Sequence, residues 1–329
     1  MAHITLNKEN FFHNLNYLTK KLGSKDKLAV VLKDNAYGHG LQEMAKLSQE
    51  FGIKKAVVKS EDEAKKIEQN FETIIVLNPT FKEKTKFDLV INSLEKLNLV
   101  PINSTIHLKV DSGMHRNGIM IDELKKAFEL IMIKKLNLAG VLTHFRSADE
   151  LSSELFWQEK NWQNIKKLTL KLCKKYNLPK PLFHSANSAT TLRKNSYHDD
   201  FARCGIAIYG YHEMPKSFGE FDLKPVLKLY ADKISSRKLK KGARVGYGGV
   251  GVLSQDSTIS TYDIGYADGF FRNLYPNLLG RVSMDSFSML GNANTVCLID
   301  DAKDIAKQNN TISYEILVKL SSDIKRIIV

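Results

Sequence analysis

The chain has 329 residues, 43% of them hydrophobic, with 49 Lys and Arg against 36 Asp and Glu for a net charge of +13. That length and apolar content suit one large α/β domain plus a smaller one, and no apolar run approaches the ~20 residues that span a bilayer. The basic residues are mostly lysines spread along amphipathic stretches such as "KKLGSKDK" and "IKKLTLKLCKK", which reads as solvated helix surface and not as a nucleic-acid footprint, although such a field would draw in an anionic ligand. Cys173, Cys204 and Cys297 are scattered and odd in number, so neither a disulfide framework nor a zinc site is indicated, and no metal is expected. The opening "MAHITLNKENFF" lacks the basic and apolar regions of a signal peptide, and the expectation is a soluble cytoplasmic protein.

In chain order, eight short apolar runs alternate with helical patterns. The runs are "LAVVL" (28–32), "KAVVK" (55–59), "TIIVL" (73–77), "LVI" (89–91), "TIHLKV" (105–110), "LAGVLTH" (138–144), "PLFHS" (181–185) and "FARCGIAIYG" (201–210). Between them lie "LQEMAKLSQEFG", "EDEAKKIEQ", "DELKKAFELIMIKK" and "LFWQEKNWQNIKKLTLKLCKKY". Such alternation argues for parallel strands joined by right-handed crossovers, and eight is the number that closes a barrel. After about residue 222 the texture becomes β-rich and glycine-punctuated, and it ends in helical stretches around "DDAKDIAKQ" and "ISYEILVKLSSDI". The expected architecture is α/β: an N-terminal (β/α)8 TIM-type barrel over 1–222 and a smaller C-terminal mostly-β domain over 223–329, with "AHITL" a strand that joins the second. An open doubly wound sheet is the other reading of the same pattern.

A barrel delivers its chemistry from the C-terminal ends of its strands, and polar residues recur there. Lys33 follows the first strand, Lys109 and Arg116 the fifth, and His144 ends the sixth. His184, Asn187 and Ser188 follow the seventh, and Arg203 and Gly205 lie around the eighth. Each has an ordinary reading by itself: a solvated lysine, a satisfied core histidine, a turn serine.

The segment "AVVLKDNAYGHG" resembles the pyridoxal-phosphate lysine motif of alanine racemases. So do "KVDSGMHRNGI", "THFRSADE", "HSANSAT", "ARCGIAIYG", "VGYGG", "GYADGF" and "RVSMDSFSM". The eight blocks follow the family's order. The resemblance implies a homodimer, a pyridoxal 5'-phosphate barrel, a C-terminal β domain contributing to the partner subunit's active site, and interconversion of L- and D-alanine for peptidoglycan synthesis.

Residue by residue, the resemblance assigns Lys33 the covalent link to the cofactor and the role of base toward the D-substrate. Tyr247 matches the tyrosine that serves the L-substrate from the other subunit. Tyr37, Ser188, Gly205 and Ile206 match positions that hold the cofactor phosphate, and Asn187 and His144 lie beside the cofactor. Arg203 matches the arginine facing the pyridine nitrogen; an always-charged guanidinium there discourages ring protonation and so favours racemisation over transamination. His144 and His184, linked toward Arg203, resemble a network that orients and tunes the site.

Arg116 matches the arginine that holds the substrate carboxylate, and Lys109 a lysine that is carbamylated in some members. Met284 and Asp285 match the segment that reaches into the partner's site, and Tyr266 a tyrosine at the substrate entrance. Family members carry a tyrosine near the C-terminus that adds a hydroxyl to the phosphate site; alignment puts Ser322 there, too short to reach equally well. A broad-specificity or serine racemase, a non-catalytic pyridoxal-phosphate protein and a decarboxylase of the same barrel class are the rival readings.

Overall fold

The computed structural model describes residues 1–272 and 278–329. Eight parallel strands, β2 (Leu28–Val31), β3 (Lys55–Val58), β4 (Thr73–Val76), β5 (Asp88–Ile91), β6 (Thr105–Lys109), β7 (Asn137–Leu142), β8 (Leu182–His184) and β9 (Ala202–Cys204), form one sheet in the order β8-β7-β6-β5-β4-β3-β2-β9. Their central residues are buried on both faces, as in "LAVV" of β2 and "IIV" of β4. Such continuous apolar runs are the mark of parallel strands covered by helices on one side and a packed interior on the other. Each of the eight apolar runs read from the sequence overlaps one of these strands.

Between β8 and β9 the closure is made by backbone bonds outside a regular ladder: Asp200 N–H donates to Phe183 O at 2.9 Å and Arg203 N–H to Ala186 O at 3.0 Å. The barrel is thus nearly closed. The run "FARCGIAIYG" is a strand only over Ala202–Cys204 and then a 3-10 helix over Ile206–Tyr209. The apolar pattern continues through both, so it could not mark where the strand stops.

The first helix, Lys8–Leu22, shows how the lysine-rich faces are placed. Asn7 caps it by accepting from Asn10 N–H, Gly23 ends it at φ 82°, and Phe11, Leu15, Leu18 and Leu22 are buried along one stripe. The 23-residue helix Glu154–Tyr176 buries Leu155, Trp162, Ile165 and Leu172 in the same manner.

The second sheet comprises β1 (His3–Leu6), β10 (Leu227–Leu239), β13 (Ser257–Tyr262), β14 (Phe287–Leu290), β15 (Thr295–Ile299) and β16 (Lys325–Ile328), with a separate two-stranded hairpin of β11 (Arg244–Val245) and β12 (Gly251–Val252). The opening strand β1 pairs antiparallel with β10 and parallel with β16, so both chain ends lie in this sheet. Helices Ala302–Gln308 and Ser313–Val318 precede β16. Among the described residues, no helix is long and apolar enough to cross a membrane.

Candidate active site

The site begins where β2 ends. Leu32 N–H donates to Val57 O at 2.9 Å, and the chain then enters a left-handed turn: Asp34, Asn35, Ala36 and Tyr37 have φ of 54°, 53°, 54° and 52°. Four L-residues in that region cost roughly 4–8 kcal/mol together, so the surroundings must hold them. The Glu63 carboxylate accepts from Asp34 N–H at 2.8 Å, Asn35 N–H at 3.4 Å and Lys59 N–H at 2.7 Å. Asn35 Oδ1 accepts from Leu41 N–H at 2.9 Å. The turn closes at Gly38 (φ 80°), where a Cβ would stand 2.0 Å from Leu317 O. Its effect is that Lys33 and Tyr37 line the same cavity, with Lys33 Nζ 5.8 Å from the Tyr37 ring centroid.

That cavity occupies about 770 Å³ at the C-terminal mouth of the barrel. On one side it is lined by Tyr37, Ser188, Gly205, Ile206 and Tyr314. Ser188 Oγ accepts from Gly205 N–H at 3.0 Å and Ala207 N–H at 3.3 Å, fixing the bend that ends β9. A Cβ at Gly205 would lie 2.6 Å from Tyr37 Oη, so only the bare backbone lets the tyrosine hydroxyl approach. Ile206 opens a 3-10 helix, leaving its N–H without an intrahelical carbonyl.

The floor is cationic. Arg203 is 6% exposed and its guanidinium donates to Thr143 O (2.7 Å), Ser185 O (3.4 Å), His184 O (2.5 Å) and His184 Nδ1 (2.7 Å). Burial lowers its pKa to about 10, which still leaves it charged at neutral pH. His144 is pushed down to about 3, first by burial and then by Arg203, Lys109, Arg116 and Lys33, so it is neutral. Its Nε2 lies 3.5 Å from Asn187 Nδ2, while Asn187 Oδ1 caps the helix Ser188–Arg193 through Thr190 N–H at 2.9 Å.

Lys109 ends β6 and is lowered to about 8 by burial, then by Arg116 and Arg203; its amine touches Asn117 Oδ1. Arg116 sits on the following loop, which Asp111 shapes by accepting from the N–H groups of Gly113, Met114 and His115 at 2.8, 2.9 and 2.9 Å. His184 does not line the cavity. It lies fully buried behind Arg203, with its pKa far below the usual value because burial opposes its charge.

The sequence-predicted residues therefore fall into two groups. Lys33, Tyr37, Lys109, Arg116, His144, Asn187, Ser188, Arg203, Gly205 and Ile206 converge on the barrel mouth. Tyr247 and Asp285 instead line a separate depression of about 470 Å³ in the second domain, with Arg281 and Ser283. Tyr266 and Met284 adjoin it: Tyr266 N–H donates to Ser283 O at 3.1 Å and Ala267 N–H to Met284 O at 2.9 Å. Tyr247 is 67% exposed and Met284 59%. Within one chain these four do not line the Lys33 cavity.

The residue that sequence reasoning missed is Tyr314. Ser322, the aligned position, is absent from the cavity lining, whereas Tyr314 on the helix Ser313–Val318 lines it with its ring 5.8 Å from that of Tyr37. Among the described residues its hydroxyl has no hydrogen-bond partner. Arg146 and Asp149, in the quoted block "THFRSADE", also line the mouth without having been singled out.

The family model described as the alanine racemase N-terminal domain matches residues 6–213, and that of the alanine racemase C-terminal domain matches residues 226–328. The alanine racemase of Nitratiruptor sp. is 51% identical over 330 residues, covering 99% of each chain. The solved alanine racemase of Clostridium difficile superposes with a TM-score of 0.90 at 26% identity, over 100% of this chain and 95% of that one. A Bartonella henselae alanine racemase with covalently bound pyridoxal phosphate shares the fold (TM-score 0.81, 24% identity, 100% and 99% covered). The chain belongs to the alanine racemase family.

Proposed function

We propose that the chain interconverts L- and D-alanine with pyridoxal phosphate as cofactor, as a cytoplasmic homodimer supplying D-alanine for peptidoglycan. The observation that carries this reading is the barrel-mouth cavity, in which an amine, a buried guanidinium and an open anion cradle face one space. Lys33, Lys59, Lys109, Arg116, Arg146 and Arg203 line it against two carboxylates, Asp34 and Asp149. That excess suits a ligand carrying a phosphate and a substrate carboxylate. The space a Gly205 side chain would fill, the Ile206 N–H and the unpartnered Tyr314 hydroxyl fit the phosphate end. The residues present therefore fit the cofactor, and Lys33 would hold it.

Pyridoxal phosphate, when bound, supplies the electron-withdrawing ring that makes an amino acid's α-proton acidic. The chain's own groups do the rest. Arg116 pairs with the substrate carboxylate through its planar fork. Arg203 would present its permanent positive charge to the ring, and neutral His144 would offer a hydrogen bond beside it. In the L-to-D direction, Tyr247 Oη of a second copy takes the α-proton from one face and Lys33 Nζ returns a proton to the other; the reverse direction exchanges the roles. The exposed Tyr247 cluster and the Lys33 cavity, separate within one chain, support completion of each site by two copies.

The test is incubation with pyridoxal phosphate and L-alanine in deuterated water, following α-proton exchange and D-alanine. D-alanine formation lost in Lys33→Ala and in Tyr247→Phe supports the reading. Exchange without inversion would leave only one working base, and inversion of L-serine in preference to L-alanine would move the substrate assignment.

A further inference from the structure

Arg203 has an unusual anchorage for a buried cation. Among the described residues no carboxylate touches it; its partners are three carbonyls and the Nδ1 of His184. Behind His184 the contacts continue through the barrel interior. His184 Nε2 lies 2.8 Å from His107 Nδ1, and His107 Nε2 lies 3.0 Å from Asp88 Oδ2. Asp88 begins β5, His107 is in the middle of β6, His184 ends β8 and Arg203 is in β9.

The two ends of this chain fix the direction of every link. A guanidinium has donors only, so His184 Nδ1 must offer a bare lone pair to Arg203. The single N–H of neutral His184 is then on Nε2 and donates to His107 Nδ1. That nitrogen must also be bare, which puts the His107 N–H on Nε2, where an acceptor-only carboxylate receives it. A second N–H on His107 would force His184 to accept at both ring nitrogens, which a neutral imidazole cannot do. Asp88 is therefore the group that terminates the chain.

Space has been left for the middle link. A Cβ at Gly140 in β7 would stand 2.1 Å from His107 Nδ1 and 2.5 Å from Cε1. Gly140 is not in the left-handed region, so its role there is room and not backbone freedom. Any side chain at 140 would meet the imidazole at the nitrogen that receives the His184 bond.

We propose that Asp88 and His107 are positioning residues that lock His184 in its Nε2–H form, so that Arg203 is oriented from the far end of the barrel and not only by its immediate neighbours. With Asp88 absent, His107 can carry its N–H on either nitrogen. An N–H on its Nδ1 would oppose that of His184 and invite His184 to turn its own N–H against Arg203. The guanidinium would lose one of its fixed acceptors and gain freedom at the cofactor-facing edge.

This rests on the reading of Arg203 as the group that faces the cofactor ring. The test is a long-range proton–nitrogen spectrum of histidine-labelled protein, with and without pyridoxal phosphate, for wild type, Asp88→Ala, Asp88→Asn and Gly140→Ala. Wild type is expected to show protonated Nε2 and bare Nδ1 for both His107 and His184. Asp88→Ala and Gly140→Ala are expected to mix the tautomers and to lower kcat for alanine by about tenfold with little change in KM, because a positioned group is loosened and none that binds substrate is removed. Asp88→Asn, which keeps an acceptor oxygen, is expected to restore both. A protonated Nδ1 on either histidine in wild type would overturn the proposal, as would Asp88→Ala with an unchanged spectrum and unchanged kcat. If the protein racemises nothing, the reading of Arg203 fails, and the spectra still decide whether the chain of tautomers exists.

Discussion

Lys109 carries the most quantitative consequence of the cationic floor. Burial, Arg116 and Arg203 bring its amine to about 8. At pH 7 about 9% of it is then unprotonated, against roughly 0.03% for an ordinary lysine near 10.5, an enrichment of roughly 300-fold in the reactive form. Three cations otherwise crowd one another here, and adding CO2 to the neutral amine, with loss of one proton, would replace a positive charge by a negative carbamate beside Arg116. Protein equilibrated with 13C-bicarbonate should show one carbamate carbon resonance that is missing in Lys109→Ala and disappears on acidification. Losing one charge-assisted hydrogen bond to Arg116 corresponds to about 1.5 kcal/mol or more, so KM for alanine should rise roughly tenfold in that variant and in CO2-depleted buffer. No labelled carbon on wild type, together with a KM indifferent to bicarbonate, would refute this reasoning and leave Lys109 a bare amine on Asn117.

Two further perturbations test other parts of the structure. His39 and His144 are held at about 3 by burial, and His184 is held well below its usual value. The unfolded chain binds protons at these sites below about 6.5 that the folded chain refuses. Their stabilising contribution is therefore complete above that pH and is lost as pH falls, by up to about 4 kcal/mol per unit for three groups. Urea midpoints should drop steeply from pH 7 to 5, and His39→Phe should flatten that slope by one proton; an unchanged slope would contradict the burial argument. At the anion cradle, Tyr314→Phe should weaken pyridoxal phosphate binding several-fold by fluorescence titration, whereas Ser322→Ala should leave it unaltered. The opposite ranking would return the role to Ser322.

The eight barrel strands were legible because a parallel strand buried on both faces writes itself as an uninterrupted apolar run, as in "LAVV" and "TIIV". The same rule misled at 206–209, where the 3-10 helix is equally apolar. In "DNAY" the Asp-Asn pair tolerates left-handed backbone, but nothing in Ala36 or Tyr37 announces it; the bonds from Glu63 and the close approach of Leu317 hold the turn. The barrel-mouth residues were found through motif order, and their convergence needed the fold. Tyr314 escaped because alignment follows sequence position while the cavity selects by reach. His107 and Asp88 escaped because a lone histidine inside an apolar strand looks like any core histidine until its neighbours are seen.

In the proposed function each active site is built from two copies of this chain, Lys33 from one and Tyr247 from the other. The most direct test mixes Lys33→Ala and Tyr247→Phe subunits, each inactive alone, and allows them to exchange. In a two-fold dimer, equal mixing makes about half the molecules hybrids, each with one intact site of two, so about a quarter of the wild-type rate should return. A mixture shown to contain hybrids but still inactive would contradict the shared site and require Tyr247 to serve the Lys33 of its own chain.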